Sequence, residues 1–171
     1  MKWFVLAAVL TLLCIASPTS VEAHSTKSSA NMSNMNKIFV GWVDLDPDTY
    51  RVLDYDTKAE WATVIDNINA YFQDDLKSNY LAGRTLTMAK NKDDVNAAGN
   101  DLYIKFTNAS EDKGYRLHIA VHFIDPKTNT ELAVIPEVRY GAHLCGLVGC
   151  MEKELGKVGE LVSKQVSSPK K

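Results

Sequence analysis

The chain has 171 residues, 19 basic against 21 acidic ones, a net charge of −2 at pH 7 and 46% hydrophobic residues. That length suits one domain with a sizeable core. The balanced charge, with no long basic run, argues against nucleic acid and anionic membrane as partners.

Met1 to Ala23 has a basic start at Lys2, an almost wholly apolar run from Trp3 to Ile15, and a small-residue end at Val21-Glu22-Ala23. This is the pattern of a secretory signal peptide. The apolar run is too short to span a bilayer, which needs about 20 such residues. No transmembrane anchor is therefore expected. Cys14 follows Leu13, where a lipid-attachment signal wants a small residue, so lipidation there is not expected. Removal of residues 1–23 takes away Lys2 and Glu22 and leaves the charge balance unchanged. The expected location is exported, periplasmic or secreted.

His24 to Asn36 is rich in Ser and Asn and reads as a flexible leader. A His24 at a new N-terminus is similar to copper sites that use the terminal amine. The leader offers no second histidine held beside it. The domain is expected over residues 37–166, with a tail at 167–171.

Lys37 to Leu45 is apolar on both faces and predicts a central strand covered on both sides. Asp44, Asp46 and Asp48 then alternate as in the start of a calcium loop. The sixth and twelfth positions of that loop require Gly and Glu, and here hold Thr49 and Tyr55. A solvated acidic turn fits better.

Thr57 to Leu81 predicts a long helix. Thr57 and Glu60 can form a capping box. Trp61, Ile65, Ile68, Phe72 and Leu76 make one apolar stripe, with Asp66, Asn69, Gln73 and Lys77 on the other side. Gly83 supplies a stop. Arg84 to Ala89 and Asp101 to Thr107 read as two further strands, separated by a polar connection. Asn108 to Gly114 reads as a turn.

Tyr115 to Phe123 alternates strictly, with Leu117, Ile119, Val121 and Phe123 on one side and His118, Ala120 and His122 on the other. That is a strand with one buried face. Asp125-Pro126 and Thr128-Asn129-Thr130 predict a hairpin turn before Leu132 to Ile135. Pro136 places the end of the second strand there, or puts that strand at a sheet edge. A final helix is expected over about residues 147–166 from the period of Val148, Met151, Leu155, Val158 and Val162. Gly156 and Gly159 weaken it by about 1 kcal/mol each against alanine and suit close approach to the sheet. The fold class is thus α/β, of the α+β type. It is a mixed, largely antiparallel sheet of about five strands packed by two helices.

Cys145-Gly-Leu-Val-Gly-Cys150 is the most specific local feature of the exported part. Residues five apart on a helix rise about 7.5 Å, and a disulfide needs α-carbons within about 7 Å. A bonded pair therefore puts Cys145 outside the regular helix. A structural disulfide is the favoured reading, contributing on the order of 2 kcal/mol. The spacing is longer than the C-x-x-C of thiol oxidoreductases.

His118 and His122 form H-x-x-x-H, which clamps zinc on a helix. On a strand the two are about 13 Å apart, too far for one ion. No G-x-S-x-G, H-E-x-x-H or phosphate-binding glycine loop is present, and no cofactor is implied. Asn31-Met-Ser33 and Asn108-Ala-Ser110 are glycosylation sequons.

The order strand, long helix, two strands, hairpin, helix resembles a group of bacterial envelope domains. That group is the periplasmic α/β domain of the TolB N-terminal region and CsgG-type curli-secretion lipoproteins. The segment matching its D-x-x-T-G-x-x-L pattern is Asp125-Pro-Lys-Thr128-Asn129-Thr130-Glu131-Leu132. Asn129 stands for glycine, and Asn also accepts a left-handed backbone. The resemblance implies a noncatalytic envelope role through protein contacts. The absent lipid signal and the Cys145/Cys150 pair depart from it.

The leading expectation is an exported, non-catalytic binding or accessory protein with an envelope or secreted protein as partner. One alternative is a small secreted metal-dependent hydrolase using some grouping of Asp44, Asp46, Asp48, His118, His122 and His143. The other is a thiol-disulfide redox protein using Cys145 and Cys150.

Overall fold

The computed structural model describes residues 31–44, 58–111, 116–141 and 147–167. The expected signal peptide, His24, Asp46, Asp48, Thr57, His143, Cys145 and the tail beyond Ser167 lie outside them. The described elements are β1 (Lys37–Val40), α1 (Lys58–Asp75), β2 (Thr85–Met88), β3 (Leu102–Glu111), β4 (Arg116–Asp125), β5 (Thr130–Gly141) and α2 (Leu147–Ser167). The strands form one mixed sheet in the order β2-β1-β3-β4-β5. β1 runs parallel to both neighbours, and β3, β4 and β5 run antiparallel in turn. This is the α/β architecture expected above, with both helices in place.

Both helices pack on one face. Ile65, Ile68 and Phe72 of α1, with Leu76 just beyond it, share a core with Leu155, Val158, Val162 and Val166 of α2 and with Ile38, Val40, Leu102, Ile104, Ile119, Val121 and Phe123 of the sheet. Phe72 meets Phe106 edge to face at 5.6 Å. Burial of each large side chain here contributes about 1.5–3 kcal/mol. Glu154 is also fully buried on α2, which the apolar period did not mark. Beyond Asp75, α1 widens: the Leu81 N–H bonds the Leu76 carbonyl at 2.7 Å, five residues back. Gly83, at φ 84°, turns the chain away.

Four details correct the sequence reading. First, Met32 is buried in the main core and Met35 packs against it. Arg84 donates to the Met35 carbonyl, so residues 31–36 belong to the packed domain and not to a leader. Second, Asn69 is buried, not on a solvent face. Its Oδ1 accepts from the Val43 N–H at 2.8 Å, and its Nδ2 donates to the Val43 and Ile65 carbonyls at 2.9 and 3.0 Å. The reason is that β1 ends at Val40. The chain beyond it leaves the sheet, and Asn69 supplies the backbone partners a neighbouring strand would have given. Third, β3 continues to Glu111 through a bulge between Thr107 and Ser110. That extra residue breaks the alternation, so Asn108 onward looked like a turn. Fourth, Gly159 approaches Tyr80 and not the sheet. A Cβ there would lie 2.5 Å from the Tyr80 ring.

Pro136 lies on β5, the sheet edge, as one of its two expected placements. The strand does not end there. β5 runs on to Gly141, because a bulge between Ile135 and Val138 takes up the residue that cannot donate.

Candidate functional site

Among the described residues, the other face of the sheet is closed only in part. Phe39, Ala89 and Ala97 form a small second cluster with Trp42 and Tyr103 packed against it. Phe39 and Tyr103 meet edge to face at 5.4 Å. The connection after β2 thus covers β1 and the start of β3. Gln73 of α1 pins its first turn by donating to the Ala89 carbonyl at 2.9 Å. Burial, aided by the charge of Asp94, pushes the Tyr103 phenol up.

Farther along, the outer face of β3, β4 and β5 is polar. Ile119, Val121 and Phe123 point to the helices, so the period of two turns His118, Ala120 and His122 outward. The strand reading of H-x-x-x-H is correct. The histidines take separate partners. His118 Nδ1 lies 3.0 Å from Glu137 Oε1. His122 Nδ1 lies 2.6 Å from Glu131 Oε2, and its Nε2 lies 2.8 Å from Thr107 Oγ1. Thr107, His122 and Glu131 therefore make a continuous hydrogen-bonded chain across three adjacent strands. Lys105 faces His122 in the register and is exposed.

The hairpin turn orders Glu131. Asp125 Oδ1 accepts from the Lys127 N–H at 2.8 Å, and Asn129 takes the left-handed backbone at φ 54°. The Lys127 amide, with help from Thr128, holds the Asp125 carboxyl below the usual carboxylate range. The same device recurs at Asp101. It accepts from the Lys37 and Asn36 amides at 3.0 and 3.2 Å and fixes the start of β3 against β1. The Lys37 amide is the main cause of its lowered pKa. Asp101 is thus a strand-end clamp.

Among the described residues no three His, Cys, Asp or Glu side chains gather where a metal ion could sit. Asp44 is exposed just past β1, while Asp46, Asp48 and His143 fall outside those residues. His118 and His122 are not brought to one point. Cys150 lies on the first turn of α2. Cys145, its expected disulfide partner, falls outside the described residues. The sequence reading missed Thr107, Glu131 and Glu137. The hairpin register carried a signal for Glu131, because counting back from the Asp125–Thr130 pair places it opposite Ile124, on the face of His122 and one diagonal step away.

No helix of the described residues is long and apolar enough to cross a membrane. No family model matches the chain, and no curated protein matches it. Among solved structures it is similar to a point variant of the PelC dodecamer from Paraburkholderia phytofirmans. That match has 11% identity and a TM-score of 0.46, and covers 84% of this chain and 98% of that one. It is also similar to the PelC dodecamer of the same organism in another crystal form, at 11% identity and a TM-score of 0.43, over 82% of this chain and 96% of that one. Likenesses at this level assign neither family nor role.

Proposed function

We propose that this chain is an exported accessory protein that binds a protein partner across the outer face of β3, β4 and β5. The observation that carries the reading is the contrast in how the two faces are covered. Helices close one face, and the outer face keeps an ordered polar strip that no described element covers. Its imidazoles and carboxylates are already bonded to one another. Side chains fixed before an encounter lose little entropy on binding. Lys105 on β3 and the glutamates Glu131 and Glu137 on β5 put both signs of charge on this sheet, which suits a protein surface of mixed charge and not a polyanion.

The edge of β5 is a poorer docking site. Pro136 and two register shifts on β5 blunt it against strand addition. The signal-peptide pattern supports export, and the resemblance to envelope domains supports an accessory role.

The test is affinity capture from envelope fractions and culture medium, using wild type and a Lys105→Glu/Glu131→Lys variant. A partner held by wild type, lost by that variant and retained by a Tyr71→Ser variant on exposed α1 supports the reading. A partner held equally by all three places binding elsewhere.

A further inference from the structure

The Thr107–His122–Glu131 chain has a chemical polarity that partner binding does not need. An ionised carboxylate can only accept, so Glu131 fixes the ring proton of His122 on Nδ1. In the neutral ring Nε2 then carries the lone pair, and the Thr107 hydroxyl must donate to it. A hydroxyl that gives its proton to an imidazole, itself oriented by a carboxylate, is the arrangement of an activated oxygen nucleophile. The three residues stand on β3, β4 and β5, or at their ends, so strand pairing holds them in place. Lys105 lies opposite His122 in the register and two residues before Thr107, which puts a cation on the same face of the sheet.

The geometry points to a metal-independent acyl-transfer activity toward activated esters, with Thr107 as nucleophile and His122 as base. Glu131 is a positioning residue. Thr107 Oγ1 attacks the ester carbonyl carbon while its proton passes to His122 Nε2. The tetrahedral intermediate collapses, the bond to the leaving alcohol breaks, and that oxygen takes the proton from Nε2. Water, giving a proton to His122, then attacks the acyl-threonine. The bond from the carbonyl carbon to Thr107 Oγ1 then breaks, Oγ1 takes the proton back from His122 Nε2, and the carboxylic acid leaves. Lys105 would stabilise the negative oxygen of each intermediate. A quarter of the His122 side chain is exposed, so small activated aryl esters are the substrates best able to reach it.

The experiment is hydrolysis of p-nitrophenyl acetate by the full chain in the presence of a chelator. Peptide mass spectrometry of the quenched reaction accompanies it. Wild type should exceed free imidazole at equal concentration and show acetyl on Thr107. Thr107→Val and His122→Gln should each lose about 100-fold or more of the excess rate. Glu131→Gln should lower kcat with KM unchanged, and Glu131→Asp should restore part of it. Thr87→Val, on exposed β2, should match wild type. Circular dichroism confirms that each variant is folded. Hydrolysis no faster than imidazole, or a folded Thr107→Val that keeps the wild-type rate, would overturn the assignment. Partner capture is read separately, so failure here leaves the binding proposal standing.

Discussion

The two faces of the sheet are built from the same strands and do different work. The helix-covered face holds Ile38, Ile104, Val121 and Phe123, all essentially inaccessible. The outer face of β3 to β5 holds Lys105, Thr107, His118 and His122, each in reach of water. Burial stabilises in proportion to the apolar area removed from water, whereas exposed hydrogen bonds and ion pairs contribute little net. The first face should therefore set stability, leaving the second free for recognition and chemistry.

The largest test of that division is Phe72→Ala. Loss of a buried ring packed on Phe106 should cost about 3–5 kcal/mol in urea unfolding. A loss below about 1 kcal/mol would break the comparison from the stable side. Asn69→Leu comes next. It keeps the volume and strands the Val43 N–H and C=O, at about 1–3 kcal/mol for each backbone group left unsatisfied. A near-neutral result would mean that water replaces the amide.

Gly159→Ala sharpens the comparison at the helix pair. In an open helix this change gains about 1 kcal/mol. Here the added methyl meets the Tyr80 ring, and the expected sign is a loss of about 1–3 kcal/mol. Tyr80→Ala should restore the gain. The Tyr80 phenol is pushed up by burial and then by Asp75 and Glu160, so spectrophotometric titration should place it above a free tyrosine in wild type.

Glu160 provides a pH test of smaller size. Hydrogen bonds from Lys157 and Lys164 lower its pKa from 4.5 to about 2. Since the folded value is depressed, its stabilisation is present above about 4.5 and fades as pH falls toward 2. The carboxylate is 39% exposed, so solvent screening limits the effect to about 0.2–1 kcal/mol. Glu160→Gln should flatten that part of the stability-against-pH curve.

Much of the helix-covered face was legible in the sequence. Strict alternation from Leu117 to Phe123 gave β4, and the stripe from Ile65 to Leu76 gave α1. Those patterns survive because one face must be buried. The misses have physical causes. The bulges after Thr107 and near Pro136 shift the alternation by one residue, which hid the second half of β3 and of β5. Asn69 looked like a surface residue because its polar atoms satisfy the backbone at Val43, a contact 26 residues away. Met32 sat in a Ser- and Asn-rich stretch and gave no periodic signal. His118 and His122 were visible as outward residues. Thr107 as a partner was not, since its link to His122 depends on which strand pairs with β4.

The most direct test of the division between faces is urea unfolding of a triple variant, Thr107→Val/His122→Thr/Glu131→Thr, which removes the polar chain and keeps strand-forming residues. The expected loss is under about 1.5 kcal/mol, with the urea dependence unchanged. A loss equal to that of Phe72→Ala would show that the outer network holds the sheet together, and would contradict the account.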